Sequence, residues 1–223
     1  MQVIDDYVYV HLQKSGGTSI MKMMQKQRLD DIKFLVHHLP SHATPRIYDD
    51  YKKIAMVRNP LTWYTSFYNH IIEHHTDDSN ILFHINIFME NKKIVSFNKF
   101  LERALNFKDY CNESSFIDNY KLWRKNKSNH FMAFFIPDTT NFNPPDTYYQ
   151  FIINGMIGSD VETYHMETQF DEVARILKLE PEYHNVSSIT KRITKETQQK
   201  ILEKDSILFD RFGYKKELLE NYF

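Results

Sequence analysis

Lys14-Ser15-Gly16-Gly17-Thr18-Ser19 sets one cation, three hydroxyls and two adjacent glycines in six consecutive residues. Glycines in a turn let successive backbone N–H groups face a single anion, and the head of a following helix adds partial positive charge. Lys14 brings a full charge to such a place, and Thr18 and Ser19 bring hydroxyl donors. The chemistry these residues suit is that of a phosphate cradle. Their order differs from G-x-x-x-x-G-K-[ST], where lysine follows the last glycine. Here it precedes both, which removes the main support for an ATPase loop. The chain holds only five glycines, against roughly sixteen at average usage, so two together mark a backbone requirement. Taken alone, the segment also fits an ordinary strand-to-helix turn.

Arg58 and Ser66, eight residues apart, form a second pair able to hold an anion. A guanidinium forks onto a phosphate while a serine hydroxyl takes another of its oxygens. On a helical rise the two are about 12 Å apart along the axis. Singly, Arg58 is equally a salt-bridging strand end, and Ser66 a tolerated helix serine. A third group is His37-His38-Leu-Pro-Ser-His42, since histidine exchanges a proton near neutral pH. His70 and His74 have the i, i+4 spacing of metal ligands but lack the glutamate of H-E-x-x-H. They are read as surface residues, and no metal is expected. Cys111 is the one cysteine, which excludes an internal disulfide and a Cys-based zinc site.

Strands and helices must position these groups. Tyr7–Leu12 reads as a strand, and Ser19–Gln27 as a helix with Ile20, Met23, Met24 and Gln27 on one face. Ile32–Val36 and Lys53–Arg58 read as further strands. Thr44-Pro45 and Asn59-Pro60 are cap-plus-proline signals. The second opens a helix to about His75, striped by Leu61, Tyr64, Tyr68 and Ile71. Later helices are expected at Ser96–Leu105, Thr168–Lys178 and Thr194–Phe209, and irregular or mixed structure over Asp109–Gln150. Strands alternating with helices imply an α/β layer fold around a parallel sheet. The glycine loop, Arg58 and the histidine segment would then all leave strands at the carboxyl edge, where open α/β sheets bind ligands.

Composition narrows the function further. The 28 Lys+Arg nearly balance 29 Asp+Glu, for a formal charge of −1, so bulk affinity for nucleic acid is not expected. A content of 42% hydrophobic and 15% aromatic residues excludes a disordered chain. The length suits a single domain over 1–223, with roughly 76–150 as a less regular part on the acceptor side. The N-terminal residues lack a basic and then apolar leader, and no apolar run is long enough to span a membrane. A cytoplasmic protein is expected; the oligomeric state is left open.

Gln-Lys-Ser-Gly-Gly-Thr (13–18) together with Val-Arg-Asn-Pro-x5-Ser-Phe-Tyr (57–68) resembles the phosphate-binding motifs of PAPS-dependent sulfotransferases. The likeness is greatest to the carbohydrate branch, which includes the heparan sulfate 2-O-sulfotransferases and prokaryotic relatives. Ser96-Phe-Asn-Lys-Phe100, His165-Met-Glu-Thr168 with Phe170 and Leu177, and the segments around His184–Ser188, Thr194–Thr197 and Asp205–Tyr214 are similar to later family segments. The likeness is weakest over about 105–150. It implies a P-loop NTPase-like three-layer α/β fold, a central parallel sheet flanked by helices. Lys14, Ser15, Gly16, Gly17, Thr18 and Ser19 would cradle the 5′-phosphosulfate of PAPS, with Lys14 neutralising the leaving oxygen. Arg58 and Ser66 would hold the 3′-phosphate, and Lys191 and Arg192 would close over the phosphates.

The implied reaction moves a sulfuryl group from PAPS to an acceptor hydroxyl, with PAP as product and no metal. Sulfuryl transfer of this kind rests on positioning, charge stabilisation and a base. In related carbohydrate enzymes a histidine is that base; His42 is the first choice here and His38 the second. A carbohydrate is the expected acceptor. Two departures stand out: Gln13 replaces the usual proline, and Trp63 stands where many members carry arginine. A P-loop nucleotide or small-molecule kinase, and a non-catalytic nucleotide- or glycan-binding protein, are the alternative readings.

Overall fold

Tyr7-Val-Tyr-Val does form a strand, as its β-branched and aromatic residues favour, but it is the second strand of the sheet rather than the first. The structure is a computed structural model that describes residues 1–34, 39–74, 87–90, 93–113, 143–183 and 191–219. Its strands are β1 (Gln2–Ile4), β2 (Tyr7–Val10), β3 (Ile32–Phe34), β4 (Lys52–Val57), β5 (Met89–Glu90), β6 (Lys93–Ile94) and β7 (Val161–His165). The described α-helices are α1 (Gly17–Gln27), α2 (Pro60–His74), α3 (Phe97–Leu105), α4 (Phe107–Glu113), α5 (Tyr148–Met156), α6 (Met166–Ile176), α7 (Lys195–Lys204) and α8 (Ser206–Phe212). The fold class is α/β. The chain divides into two compact units, 1–59 with 152–186, and 60–151 with 187–223.

The first unit carries a five-stranded sheet in the order β3-β1-β2-β4-β7. β2, β4 and β7 are parallel, as expected, but β1 runs antiparallel to both β2 and β3. The sheet is therefore mixed, which corrects the wholly parallel expectation. The cause is a hairpin whose turn holds only Asp5 and Asp6, with Ile4 opposite Tyr7. Asp5 sits at φ 48°, a region costly for most side chains. A distant residue holds it there: Arg28 Nη1 and Nη2 each donate to the Asp5 carboxylate at 3.0 Å. Those Arg28 bonds, then Lys178, keep the Asp5 carboxyl below its ordinary pKa. A turn without glycine, stabilised by a partner twenty-three positions on, leaves no local hairpin signal.

β4 is buried along Ile54–Val57, as a strand covered on both faces should be. One side of the sheet, through Tyr9, Ile54, Met56 and Tyr164, packs in a single cluster with Ile20, Met23 and Met24 of α1 and Phe170, Val173 and Ala174 of α6. α1 buries the i, i+3, i+4 stripe its sequence carries. The chain after α6 doubles back along α1: Gln27 exchanges hydrogen bonds with the Glu180 backbone at 2.9 and 2.7 Å, and Lys26 pairs with Glu182 at 2.7 Å.

In the second unit, α2 presents Trp63, stacked on Phe67 at 4.8 Å and on Tyr149 at 4.2 Å between ring centroids. In the 109–150 stretch, expected to be irregular or mixed, α4 and α5 enter from either end, and 114–142 lie outside the described residues. The helix expected over Thr194–Phe209 divides into α7 and α8 at Asp205. Asp205 is fully buried and accepts from Tyr64 Oη at 2.7 Å, Thr147 Oγ1 at 2.5 Å and Gln150 Nε2 at 3.2 Å. One carboxylate thus ties the α7–α8 junction to α2 and α5. Burial, which outweighs those donors, pushes its pKa up from 3.8 to about 6.

A folded-state pKa above the unfolded one means that the native state holds the extra proton between about pH 4 and about pH 6. The contribution of this group to stability is complete at the acid end and is lost as pH rises, by about 3 kcal/mol in all. Asp205→Asn abolishes that titration. Urea midpoints of variant and wild type measured across this range should shift steadily in the variant's favour as pH rises. A constant difference would contradict the assignment.

Candidate functional site

β2 ends at Val10 and α1 begins at Gly17, so the chain turns from strand to helix through 11–16. Two left-handed residues make the turn, Lys14 at φ 60° and Gly16 at φ 78°, with Ser15 between them outside the positive-φ region. Alternation of this kind aims successive N–H groups at one concave side, the geometry of an anion nest. Gly16 is the N-cap of α1 and offers no side chain to it; the Ser19 and Ile20 amides return to its carbonyl at 3.0 and 3.3 Å. Ser15 is 1% exposed, and its Oγ has no hydrogen-bond partner among the described residues. A buried polar group left in that state costs about 1–3 kcal/mol, which an anion's oxygen would offset. Lys14 and Thr18 are half-buried, and Ser19 is buried.

The two glycines have separate reasons. Gly16 needs its positive φ. Gly17 needs the absence of a Cβ, because that atom would overlap the His11 ring. His11, 2% exposed, packs under the loop.

Arg58 follows β4, the parallel neighbour of β2, and its Nη1 donates to the Lys14 carbonyl at 3.2 Å. The next residue is also held: Asn59 N–H donates to Glu167 Oε1 at 2.9 Å. Glu167 lies in the first turn of α6, just past β7, whose last residue His165 is in register with Val57. His165 N–H donates to Gln169 Oε1 at 2.8 Å, and Gln169 leaves helical geometry at φ −122°, ψ 15°. Met166 Cγ comes within 3.4 Å of where a Gly16 Cβ would stand. Three parallel strands thus deliver Lys14, Ser15, Gly16, Arg58, Asn59, His165 and Glu167 to one edge of the first unit. His165 was not singled out as a reactive residue. Its signal is the one that selects Arg58, a charge-capable residue closing a strand.

The remaining expected residues are placed as follows. His42 is exposed in the short turn Ser41–Ala43, on the connection from β3 to β4. That segment is anchored by Ser41 Oγ, which accepts from Gly158 N–H at 2.8 Å, and by Thr44 Oγ1, 3.6 Å from Met1 Sδ. His38 lies outside the described residues, as do the last two positions of the strand expected at Ile32–Val36 and the segment His184–Ser188. Ser66, Lys191 and Arg192 belong to the second unit. Ser66 is half-buried in α2; Lys191 is half-buried and Arg192 exposed ahead of α7. Trp63 is fully buried in the aromatic stack. Among the described residues, no group of three or more His, Cys, Asp or Glu side chains could hold a metal ion, and no helix is long and apolar enough to cross a membrane. No family model, curated protein or solved structure matches the chain.

The contact between position 17 and His11 predicts an energetic coupling. Gly17→Ala should destabilise the protein by about 1–3 kcal/mol through overpacking, and much less in a His11→Ala background. A double-mutant cycle by chemical denaturation should return a coupling of about 1 kcal/mol or more; additive costs would contradict the packing.

Proposed function

We propose that this chain is a PAPS-dependent sulfotransferase of P-loop NTPase-like layered architecture, which moves a sulfuryl group to a hydroxyl of a carbohydrate acceptor. One observation carries the reading. The loop bearing the first family-like motif has alternating positive φ at Lys14 and Gly16, and the arginine of the second motif reaches its Lys14 carbonyl. The residues suit a donor with anionic groups: a nest at the head of an eleven-residue helix, a buried Ser15 hydroxyl with hydrogen-bonding capacity to spare, and two cations.

When bound, PAPS supplies an activated sulfuryl group whose sulfur gains a bond to the acceptor oxygen as its bond to the phosphate oxygen breaks, the electron pair leaving on that phosphate. In this scheme the N–H groups of the loop and α1 hold the 5′ oxygens, with Ser15, Thr18 and Ser19 hydroxyls added. Lys14 balances negative charge on the leaving oxygen. Arg58 binds the 3′-phosphate, and the resemblance implies Ser66, Lys191 and Arg192 as further phosphate-binding residues. His42, or else His38, takes the acceptor proton.

PAP should raise the melting temperature more than AMP, ADP or ATP at equal concentration, because ligand excess stabilises by mass action. Arg58→Ala should erase the advantage of PAP over AMP. Equal shifts from all four nucleotides would count against the donor assignment, and magnesium-dependent ATP binding that PAP does not displace would favour a kinase. His42→Ala should keep the PAP shift and lose about 10²–10⁴-fold of sulfuryl transfer from labelled PAPS to a panel of sugars. Turnover that survives in both His42→Ala and His38→Ala would move the base elsewhere, with His165→Ala the next variant to assay.

A further inference from the structure

Arg58 cannot read a phosphate accurately unless its backbone is fixed, and it sits where β4 has ended and α2 has not begun. Val57 is the last residue held by the strand ladder, opposite His165. Beyond it, the Arg58 guanidinium is steadied by the Lys14 carbonyl, 3.2 Å away. The Asn59 amide is steadied by Glu167 Oε1 at 2.9 Å. Glu167 is itself placed from two sides, by the β4–β7 register before it and by the Gln169 side chain, which accepts from His165 N–H at 2.8 Å and bends α6. The carboxylate therefore links the exit of β4 to the start of α6 at the residue next to Arg58.

We infer that Glu167 is a positioning residue: by accepting from Asn59 N–H it fixes the Arg58 backbone, and with it the preference for a nucleotide bearing a second phosphate. The inference rests on the donor assignment proposed above. It gives Glu167 a part in ligand discrimination although the residue is exposed and acidic, which on charge alone would disfavour an anion nearby. A structural alternative exists, since a carboxylate in the first turn of a helix also stabilises it through the macrodipole. The two roles separate by chemistry. Positioning needs only an acceptor oxygen; the dipole effect needs the charge.

Three full-length variants distinguish them. Glu167→Ala and Glu167→Met remove the acceptor, the second while keeping side-chain length and helix propensity. Glu167→Gln keeps the acceptor and removes the charge. Dissociation constants for PAP and AMP are measured by calorimetry, together with amide hydrogen exchange at Asn59. Loss of the acceptor oxygen should lower the PAP-over-AMP affinity ratio by about tenfold in the Ala and Met variants. AMP affinity itself should hold, and Glu167→Gln should keep the wild-type ratio. Exchange at Asn59 should accelerate in the Ala and Met variants only. A wild-type ratio in all three would overturn the inference, as would a Gln variant that falls with the other two. A wild-type protein that binds PAP and AMP equally would instead overturn the donor assignment. In that case the Asn59 exchange still reports whether Glu167 holds that amide.

Discussion

A contact between a guanidinium and a carbonyl, Arg58 Nη1 to the Lys14 oxygen, joins the exits of two adjacent parallel strands. A non-glycine residue in the left-handed region costs roughly 1–2 kcal/mol, and Lys14 is such a residue. A hydrogen bond from a charged donor contributes about 1.5–3 kcal/mol, enough to hold Lys14 in that conformation. The same bond orients Arg58. The left-handed Lys14 and the buried Ser15 hydroxyl, which has no hydrogen-bond partner among the described residues, are consecutive.

The strand-to-helix turn at 11–16 and the elements around it were the most legible part of the chain. The glycine pair in a glycine-poor sequence marked the turn, and β2, α1, β4 and α2 lie where their patterns indicated. What escaped were features whose causes are remote in sequence. β1 needs the Asp5 turn, and Asp5 needs Arg28. The break between α7 and α8 needs a buried carboxylate served by Tyr64 and Thr147, and nothing in Lys204-Asp205-Ser206 announces that. Gly17 read as a phosphate-approach glycine, yet its immediate constraint is the His11 ring. Trp63 read as a departure from a basic position, whereas its neighbours at 67 and 149 make it the centre of a stack. Glu167 was visible but its partner was not, because a hydrogen bond to a backbone amide across two strand ends leaves no trace in residue type.

The second unit achieves order by a different balance. Its aromatic stack is held by ring contacts, while Asp205 is held by directional hydrogen bonds. A buried carboxylate with three donors is weak evidence of stability, since desolvation offsets most of what the bonds contribute. Its effect is to define geometry: Tyr64, whose hydroxyl burial and then the neighbouring carboxylate hold in the protonated form, can satisfy Asp205 in one arrangement of α2 against the α7–α8 junction.

The parallel ladder between β4 and β7 pairs Lys53 with Val161 and Val57 with His165, although the whole of α2 to α5 is synthesised between them. During translation, β4 can join β2 as soon as it emerges, but its other flank stays bare until the far later strand arrives. An exposed flank of Ile-Ala-Met-Val is the kind of surface that captures a neighbouring nascent chain. Ribosome-bound intermediates ending before residue 161 thus carry β4 with one flank unpaired, whatever the stability of the finished sheet.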